Sequence, residues 1–161
     1  MVNEGAVPQA EMQRSVTTIV VDASLVIAWA LPNERHHELA RRFLLDHQEA
    51  ALVAPALYEM EIDSVLRLAV FKGSMSVNDA AVVLQVVNAL PVEIVREPVV
   101  QGREVRPLAR EIAEQLNQPR VYDATYAALA GVLGCEFWTA DERFYNSAQA
   151  AFPYVRFIGT Y

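Results

Sequence analysis

Short apolar runs alternate with amphipathic stretches along the chain. The apolar runs are rich in β-branched residues and predict buried strands at residues 18–22, 51–55, 92–95, 135–140 and 155–159. Between them, apolar side chains recur every three to four residues, which predicts helices. These helices cover residues 25–31, 33–48, 56–73, 77–90, 107–117, 121–134 and 141–149. Strands that alternate with helices predict an α/β fold, with a parallel sheet covered by helices on both faces.

Local signals mark several helix ends. Asn33 is a candidate N-cap for the helix that follows it. Ser76, with Asp79 three residues later, resembles a capping box at the start of the helix predicted at residues 77–90. Gly73 stands just past the end of a helix, where a left-handed residue is favoured. Pro107 fits the first turn of its helix.

The helix at 77–90 carries an apolar stripe. The stripe consists of Val82, Val83, Val86, Val87 and Leu90. Burial in the core is the default interpretation of such a stripe, and a dimer face or a groove for a partner is the alternative. The single cysteine, Cys135, excludes an internal disulfide and a four-cysteine zinc site, and its apolar context favours core packing.

Composition narrows the class of protein. The chain has 161 residues, of which 53% are hydrophobic and 20% charged, typical of one globular domain. No stretch reaches the roughly 18 apolar residues of a membrane span. Residues 1–16 lack the basic start and apolar segment of a secretory signal and are predicted to be a flexible tail. We therefore expect a single domain over residues 17–161 in a cytoplasmic protein.

The charge balance is acidic. A formal net charge of −7 disfavours a module that grips nucleic acid only by neutralising phosphates. An acidic enzyme can still act on a polyanion if metal ions offset its own carboxylates. Charge alone therefore leaves a nuclease open.

Four acids stand among apolar or small residues, unlike the other acids of the chain. They are Asp22 in "VVDAS", Glu61 in "ALYEMEIDSVL", Asp123 in "VYDATYAALA" and Asp141 in "WTADERF". Asp22 and Asp141 each follow a predicted strand directly. Because the carboxyl ends of parallel strands meet at one rim, where ligands bind in such sheets, we expect both to point into the same crevice.

Each acid alone has an ordinary explanation. Asp22, Asp123 and Asp141 could be helix caps, and Glu61 could be a solvated residue on a helix. Together, four carboxylates near a core repel one another, and a divalent cation would remove that conflict. Ligation by oxygen alone favours Mg²⁺ or Mn²⁺ over zinc. Such an ion can activate water for attack on a phosphodiester, so the set predicts metal-dependent phosphodiester hydrolysis.

Other polar residues have weaker claims. His36, His37 and His47 lie on one predicted helix without the i, i+4 spacing of a helical zinc site. Ser24 has no histidine in a comparable context and is more plausible as a residue that orients Asp22 than as a nucleophile. Thr139 either orients a metal-bound water or satisfies the strand end.

Three stretches resemble the PIN-domain family, in particular the VapC-like ribonuclease toxins of bacterial toxin–antitoxin pairs. They are "VVDASLVIAWAL", "APALYEMEIDSVLR" and "YDATYAALAGVLGCEFWTADERF", and the last is the most specific. The matching positions carry Asp22, Glu61, Asp123, Thr139 and Asp141. Three residues after the helical Glu, where relatives often have Asn, this chain departs from the pattern with Ser64.

The resemblance implies a PIN-like, Rossmann-like parallel sheet of four or five strands, with the acids at one rim. It implies Mg²⁺- or Mn²⁺-dependent cleavage of RNA, as the toxin of a toxin–antitoxin pair. It also implies a homodimer inhibited by a small antitoxin protein. The alternatives are a non-catalytic PIN-like module that binds RNA or protein and, ranked lower, a nuclease that acts on DNA flaps.

Overall fold

A parallel sheet lies at the centre of the structure, a computed structural model that describes residues 16–161. The strands are β1 (Thr18–Val21), β2 (Ala51–Pro55), β3 (Val92–Val95), β4 (Val99–Val100), β5 (Arg103–Glu104), β6 (Glu136–Thr139) and β7 (Val155–Phe157). Five of them form the sheet in the order β3-β2-β1-β6-β7, with every pair parallel. The predicted α/β fold with four to five parallel strands is confirmed.

The strand order reverses direction at β1. The chain runs outward from β1 through β2 to β3 and later returns to the other side of β1 as β6. In open α/β sheets, the crevice for ligands lies outside the carboxyl ends of the strands at such a switch point. Val21 pairs with Trp138, so Asp22 and Thr139 follow side by side at this crevice.

Helices cover the sheet. They are α1 (Ala23–Ala30), α2 (His37–Asp46), α3 (Leu57–Phe71), α4 (Val77–Ala89), α5 (Val105–Gln115), α6 (Tyr122–Leu133), α7 (Glu142–Ala148) and a 3₁₀ turn at Ile158–Thr160. Within residues 16–161, no helix has the combined length and apolar character needed to cross a membrane. The predicted tail, residues 1–16, lies outside the described residues except for Val16.

The signals for the ends of α3 and α4 are confirmed. The Ser76 hydroxyl accepts a hydrogen bond from the backbone N–H of Asp79 at 3.0 Å, as an N-cap does. The same hydroxyl donates to the Asp79 carboxylate at 2.7 Å. Gly73 has φ of 73° directly after the helix, a conformation that favours glycine.

The predicted start of α2 was wrong. Asn33 is exposed and does not cap the helix, which begins at His37. Pro32 disfavours the helical conformation at Leu31, which is extended and ends α1. The backbone N–H groups of Glu34 and His37 then donate to the carbonyl oxygens of Leu31 and Glu34. These two successive turns occupy the residues before α2.

The apolar stripe of α4 is only partly in the core. Val87 is buried, but Val82 is 58% exposed and Val86 42% exposed, so core burial was wrong for these two. The helix packs mainly through one narrow face, which leaves part of a wider stripe in solvent. Cys135 is partly buried and packs against the core, as predicted.

The β4–β5 hairpin was not predicted. Each strand has two residues, too few for a periodic signal, and the turn between them places Gln101 and Gly102 at positive φ.

Candidate active site

Asp22 occupies the junction between β1 and α1. Its Oδ1 accepts hydrogen bonds from the backbone N–H of Leu25 at 2.9 Å and from the Ser24 hydroxyl at 2.7 Å. Its Oδ2 accepts one from the Thr139 hydroxyl at 2.5 Å. The residue is buried, at 4% exposure. Asp22 is therefore a helix cap and a rim carboxylate at once, so the two interpretations of this residue are compatible.

Ser24 and Thr139 join the ends of the two central strands. The Ser24 hydroxyl accepts from the backbone N–H of Ala140 at 2.9 Å while it donates to Asp22. The Thr139 hydroxyl accepts from the backbone N–H of Asp141, also at 2.9 Å. Each hydroxyl thus links Asp22 to the chain that follows β6. Both residues lie where a role in orienting Asp22 requires them.

Asp141 begins α7. Its Oδ1 accepts from the backbone N–H of Phe144 at 3.0 Å, the geometry of an N-cap. It therefore combines capping with a position at the rim, as Asp22 does.

Glu61 and Asp123 reach the rim from helices. Glu61 lies on α3, and its carboxylate accepts a short hydrogen bond from the hydroxyl of Tyr126 on α6. Asp123 lies in the first turn of α6, where Val121 holds the cap position, so Asp123 is not a helix cap.

All four acids line one open cavity. It has a volume of about 1090 Å³ and also includes Ser24 in its wall, with Thr139 buried behind Asp22. His36 lies on its edge, whereas the Nδ1 atoms of His37 and His47 lie within hydrogen-bond distance of backbone carbonyls. The sequence-predicted acids therefore share one cavity, at the switch point of the sheet.

Burial disfavours the ionised form of three of the acids in this cavity. Desolvation raises the pKa of Asp22 to about 7, against the opposing hydrogen bonds from Thr139, Leu25 and Ser24, and Asp123 raises it further. Desolvation also raises the pKa of Glu61, with Asp123 adding to the effect. It raises the pKa of Asp123, with a further contribution from Asp141. Within residues 16–161, none of the four forms an ion pair with Arg, Lys or His.

The donor set fits a hard divalent cation. The four side chains offer only oxygen atoms, and within residues 16–161 no cationic side chain pairs with any of them. No three acid, histidine or cysteine side chains of residues 16–161 form a ready ligand group for one ion. Mg²⁺ usually takes one or two carboxylates directly and keeps several of its waters, so the four acids need not all contact one ion.

Two tyrosines at this site escaped the sequence analysis. Tyr126 is fully buried and donates to Glu61. Desolvation, with a further contribution from the charge of Asp22, raises the pKa of the buried Tyr58 phenol. Its hydroxyl has no hydrogen-bond partner in the described part of the chain. Each stands three residues from a predicted acid on the same helix, Tyr126 after Asp123 and Tyr58 before Glu61. That spacing was the available signal.

The amino-acid sequence matches the family model described as "PIN domain" over residues 19–149. A relative named as a VapC ribonuclease from Mycobacterium bovis is 36% identical over 135 residues, which cover 84% of this chain and 94% of the relative. The ribonuclease VapC9 of Mycobacterium tuberculosis matches with the same identity and coverage.

The fold also matches solved structures. The crystal structure of PAE2754 from Pyrobaculum aerophilum aligns with a TM-score of 0.63 at 20% identity, over 96% of this chain and 94% of that one. At this identity, the likeness concerns the fold, and it extends over nearly the whole of both chains.

Proposed function

Because the chain belongs to the PIN-domain family, we propose that it is a Mg²⁺- or Mn²⁺-dependent endoribonuclease that hydrolyses RNA phosphodiester bonds. The relatives at 36% identity bear the name ribonuclease, which supports RNA as the substrate. We further propose that it is the toxin of a toxin–antitoxin pair.

One observation carries the proposal. Asp22, Glu61, Asp123 and Asp141 face a single cavity without a cationic partner from residues 16–161, and one of them is almost completely buried. A protein gains no stability from such an arrangement, since burying unpaired carboxylates is costly. A site for a divalent cation and a phosphodiester accounts for that cost.

The roles of the residues follow from their positions. The four carboxylates would hold the cation together, one or two of them directly and the others through its waters. Ser24 and Thr139 keep the Asp22 carboxylate in one orientation through their hydroxyls. Tyr126 holds Glu61 in the same way. When bound, the cation would supply an activated water and stabilise negative charge on the phosphate. The hydrogen bonds partly offset the desolvation that raises the pKa of Asp22, and so favour the ionised form that binds a cation.

The assembly proposed from the family is a homodimer held inactive by a small antitoxin protein in the cytoplasm. Light scattering on the purified protein measures whether it is a dimer. Co-purification with a small protein encoded beside its gene tests whether it binds an antitoxin.

The primary test is cleavage of a pool of structured RNAs by the purified protein, with Mg²⁺ and with excess EDTA. Asp22→Asn is the inactive variant, because it keeps the size of the side chain and removes its charge. Glu59→Gln is the matched control, since Glu59 is an exposed acid on α3 that pairs with Arg96 and lies outside the cavity. We expect cleavage that requires both the metal and Asp22 and survives Glu59→Gln.

Cleavage by folded Asp22→Asn protein in EDTA would contradict the mechanism. Absence of cleavage together with absence of carboxylate-dependent Mn²⁺ binding would favour the non-catalytic binding module instead. Cleavage of flap DNA in preference to RNA would redirect the proposal to a DNA substrate.

A further inference from the structure

The cavity that holds the four acids also carries side chains suited to a nucleotide. Arg35, His36, Tyr122 and Arg143 line it, on the loop before α2 and on α6 and α7. None of the four is an acid, and the proposed hydrolysis of the phosphodiester does not use them. Cationic and aromatic side chains of this kind can bind the phosphates and bases of a polyanion at an acidic site.

Arg143 is the cation of this cavity that remains available to a ligand. Arg35 is neutralised by Glu142, with 2.9 Å between its Nη1 and the Glu142 Oε2. Desolvation and, to a lesser extent, Arg35 lower the pKa of His36 against the opposing effect of Glu142, which disfavours the charged imidazole. Arg143 is exposed and has no ion-pair partner within residues 16–161. A phosphate that enters the cavity therefore meets one uncompensated guanidinium.

Tyr122 presents an aromatic ring to the same cavity. The residue is 52% exposed and is the only phenol or phenyl ring among the described residues that line the cavity. It directly precedes Asp123, and Arg143 stands two residues after Asp141, while Asp123 and Asp141 are electrostatic neighbours. Tyr122 and Arg143 line the same cavity as this pair of acids, from two different helices.

We propose that Tyr122 and Arg143 form a subsite for one unpaired nucleotide of the RNA, with its base stacked on Tyr122 and its phosphate bound by Arg143. This inference rests on the proposed ribonuclease function and adds to it the residues that position the strand. Stacking on an aromatic ring accepts any base, but only if the base is not already paired in a helix. An arginine contact to phosphate adds affinity that depends on salt and not on sequence.

Binding is measured apart from cleavage. The probe is a short, mixed-sequence, fluorophore-labelled single-stranded RNA, titrated by anisotropy with Mg²⁺ and with EDTA. All variants are made in the Asp22→Asn background, so that cleavage does not consume the probe. A blunt duplex of the same sequence serves as the second probe.

We expect Tyr122→Ala to weaken binding of the single strand about tenfold, in the range for loss of one stacked base. Tyr122→Phe keeps the ring and should bind within about twofold of its parent, which separates stacking from the hydroxyl. The duplex should bind more weakly than the single strand and should not respond to Tyr122→Ala.

Arg143→Ala should weaken binding of the single strand and reduce the slope of log affinity against log salt by about 0.7, as expected for the loss of one phosphate contact. Arg110→Ala is the matched control, since Arg110 is an exposed arginine on α5 outside the cavity. In the wild-type background, Arg143→Ala should raise KM more than it lowers kcat, because the contact exists before and during the reaction.

Unchanged binding by both Tyr122→Ala and Arg143→Ala would overturn the subsite, as would equal loss for Tyr122→Phe and Tyr122→Ala. Failure of the parent protein to bind the single strand with or without Mg²⁺ would overturn it too. The wild-type cleavage assay is separate, so each of these results leaves the proposed function to be decided on its own data.

Discussion

Asp22 destabilises the fold in its ionised form. It is 4% exposed, and three hydrogen bonds do not outweigh its desolvation, so its pKa is raised to about 7. A carboxyl group with a raised pKa in the folded state binds its proton more tightly there than in the unfolded chain. Its contribution to stability therefore falls as pH rises from about 4 to about 7.

Asp22→Asn should consequently stabilise the metal-free protein at neutral pH. Each pKa unit corresponds to about 1.4 kcal/mol, so the gain in the free energy of unfolding is at most about 4 kcal/mol above pH 7. The gain should shrink toward zero near pH 4, where the wild-type carboxyl is protonated. Urea unfolding of both proteins in EDTA, at several pH values, measures it. Equal stability of the two proteins at pH 8 would show that the carboxylate is not strained.

Thr139 should be needed for activity through its hydroxyl. Thr139→Val keeps the shape of the side chain but removes the donor to Asp22 and the acceptor for the N–H of Asp141. We expect kcat/KM for RNA to fall roughly 10- to 100-fold, as is typical when a group that orients a metal ligand is lost. Thr139→Ser, which keeps the hydroxyl, should retain most of the activity. A similar loss in both variants would indicate that packing, and not the hydrogen bonds, is what matters.

Sequence reasoning singled out the four acids that share the cavity and proposed Ser24 as a residue that orients Asp22, but it did not find Tyr126, the hydrogen-bond partner of Glu61. Asp22 and Asp141 could be found because each directly follows a strand, and strand ends of a parallel sheet meet by topology. Tyr126 could not, because its bond to Glu61 depends on how α3 and α6 lie against each other. A tyrosine on an apolar helix has the same appearance in sequence whether its hydroxyl meets a carboxylate or solvent.

At the scale of elements, local chemistry predicted helix ends where no competing constraint acted. Ser76 and Gly73 occupy the cap positions that their residue types favour. Asn33 does not, because Pro32 and the two turns after it delay α2 until His37. The exposed Val82 and Val86 show a similar limit, since periodicity indicates which face of a helix is apolar but not how much of it the fold covers.

The cap of α4 gives a prediction for an element remote from the chemistry. Ser76→Ala removes the acceptor for the N–H of Asp79 and should lower the free energy of unfolding by about 1 kcal/mol. Because Ser76 lies outside the cavity, RNA cleavage at a temperature where the variant is folded should be unchanged. Asn78→Ala, at an exposed position of the same helix, should change stability by less than about 0.5 kcal/mol. A larger effect for Asn78→Ala than for Ser76→Ala would contradict the capping interpretation.

In the whole molecule, as at Asp22, negative charge opposes folding. Its formal net charge is −7, and four of its acids converge at the switch point of the sheet, where RNA phosphates are proposed to enter. Repulsion among these charges opposes both folding and substrate binding. A divalent cation would act on both at once, so its binding should be visible as stability without any RNA present.

We therefore expect Mn²⁺ to raise the melting temperature of the wild-type protein near pH 7. An ion at 100 times its Kd stabilises the folded state by about 2.7 kcal/mol, which corresponds to roughly 5–10 °C for a chain of this size. Differential scanning calorimetry with Mn²⁺ and with EDTA, at matched ionic strength, measures the shift.

The control variants locate the ion. Asp22→Asn should start from a higher melting temperature in EDTA and respond less to Mn²⁺, because it has lost both the strain and the ligand. The melting temperature of Glu59→Gln, outside the cavity, should shift as that of the wild type does.

The wild-type shift should also shrink as pH falls toward 5, since protons then compete with the cation for Asp22, Glu61 and Asp123, whose pKa values are all raised. An equal shift in Asp22→Asn and wild type at every pH would place the ion elsewhere. The proposed cation would then not explain why the four acids share one cavity.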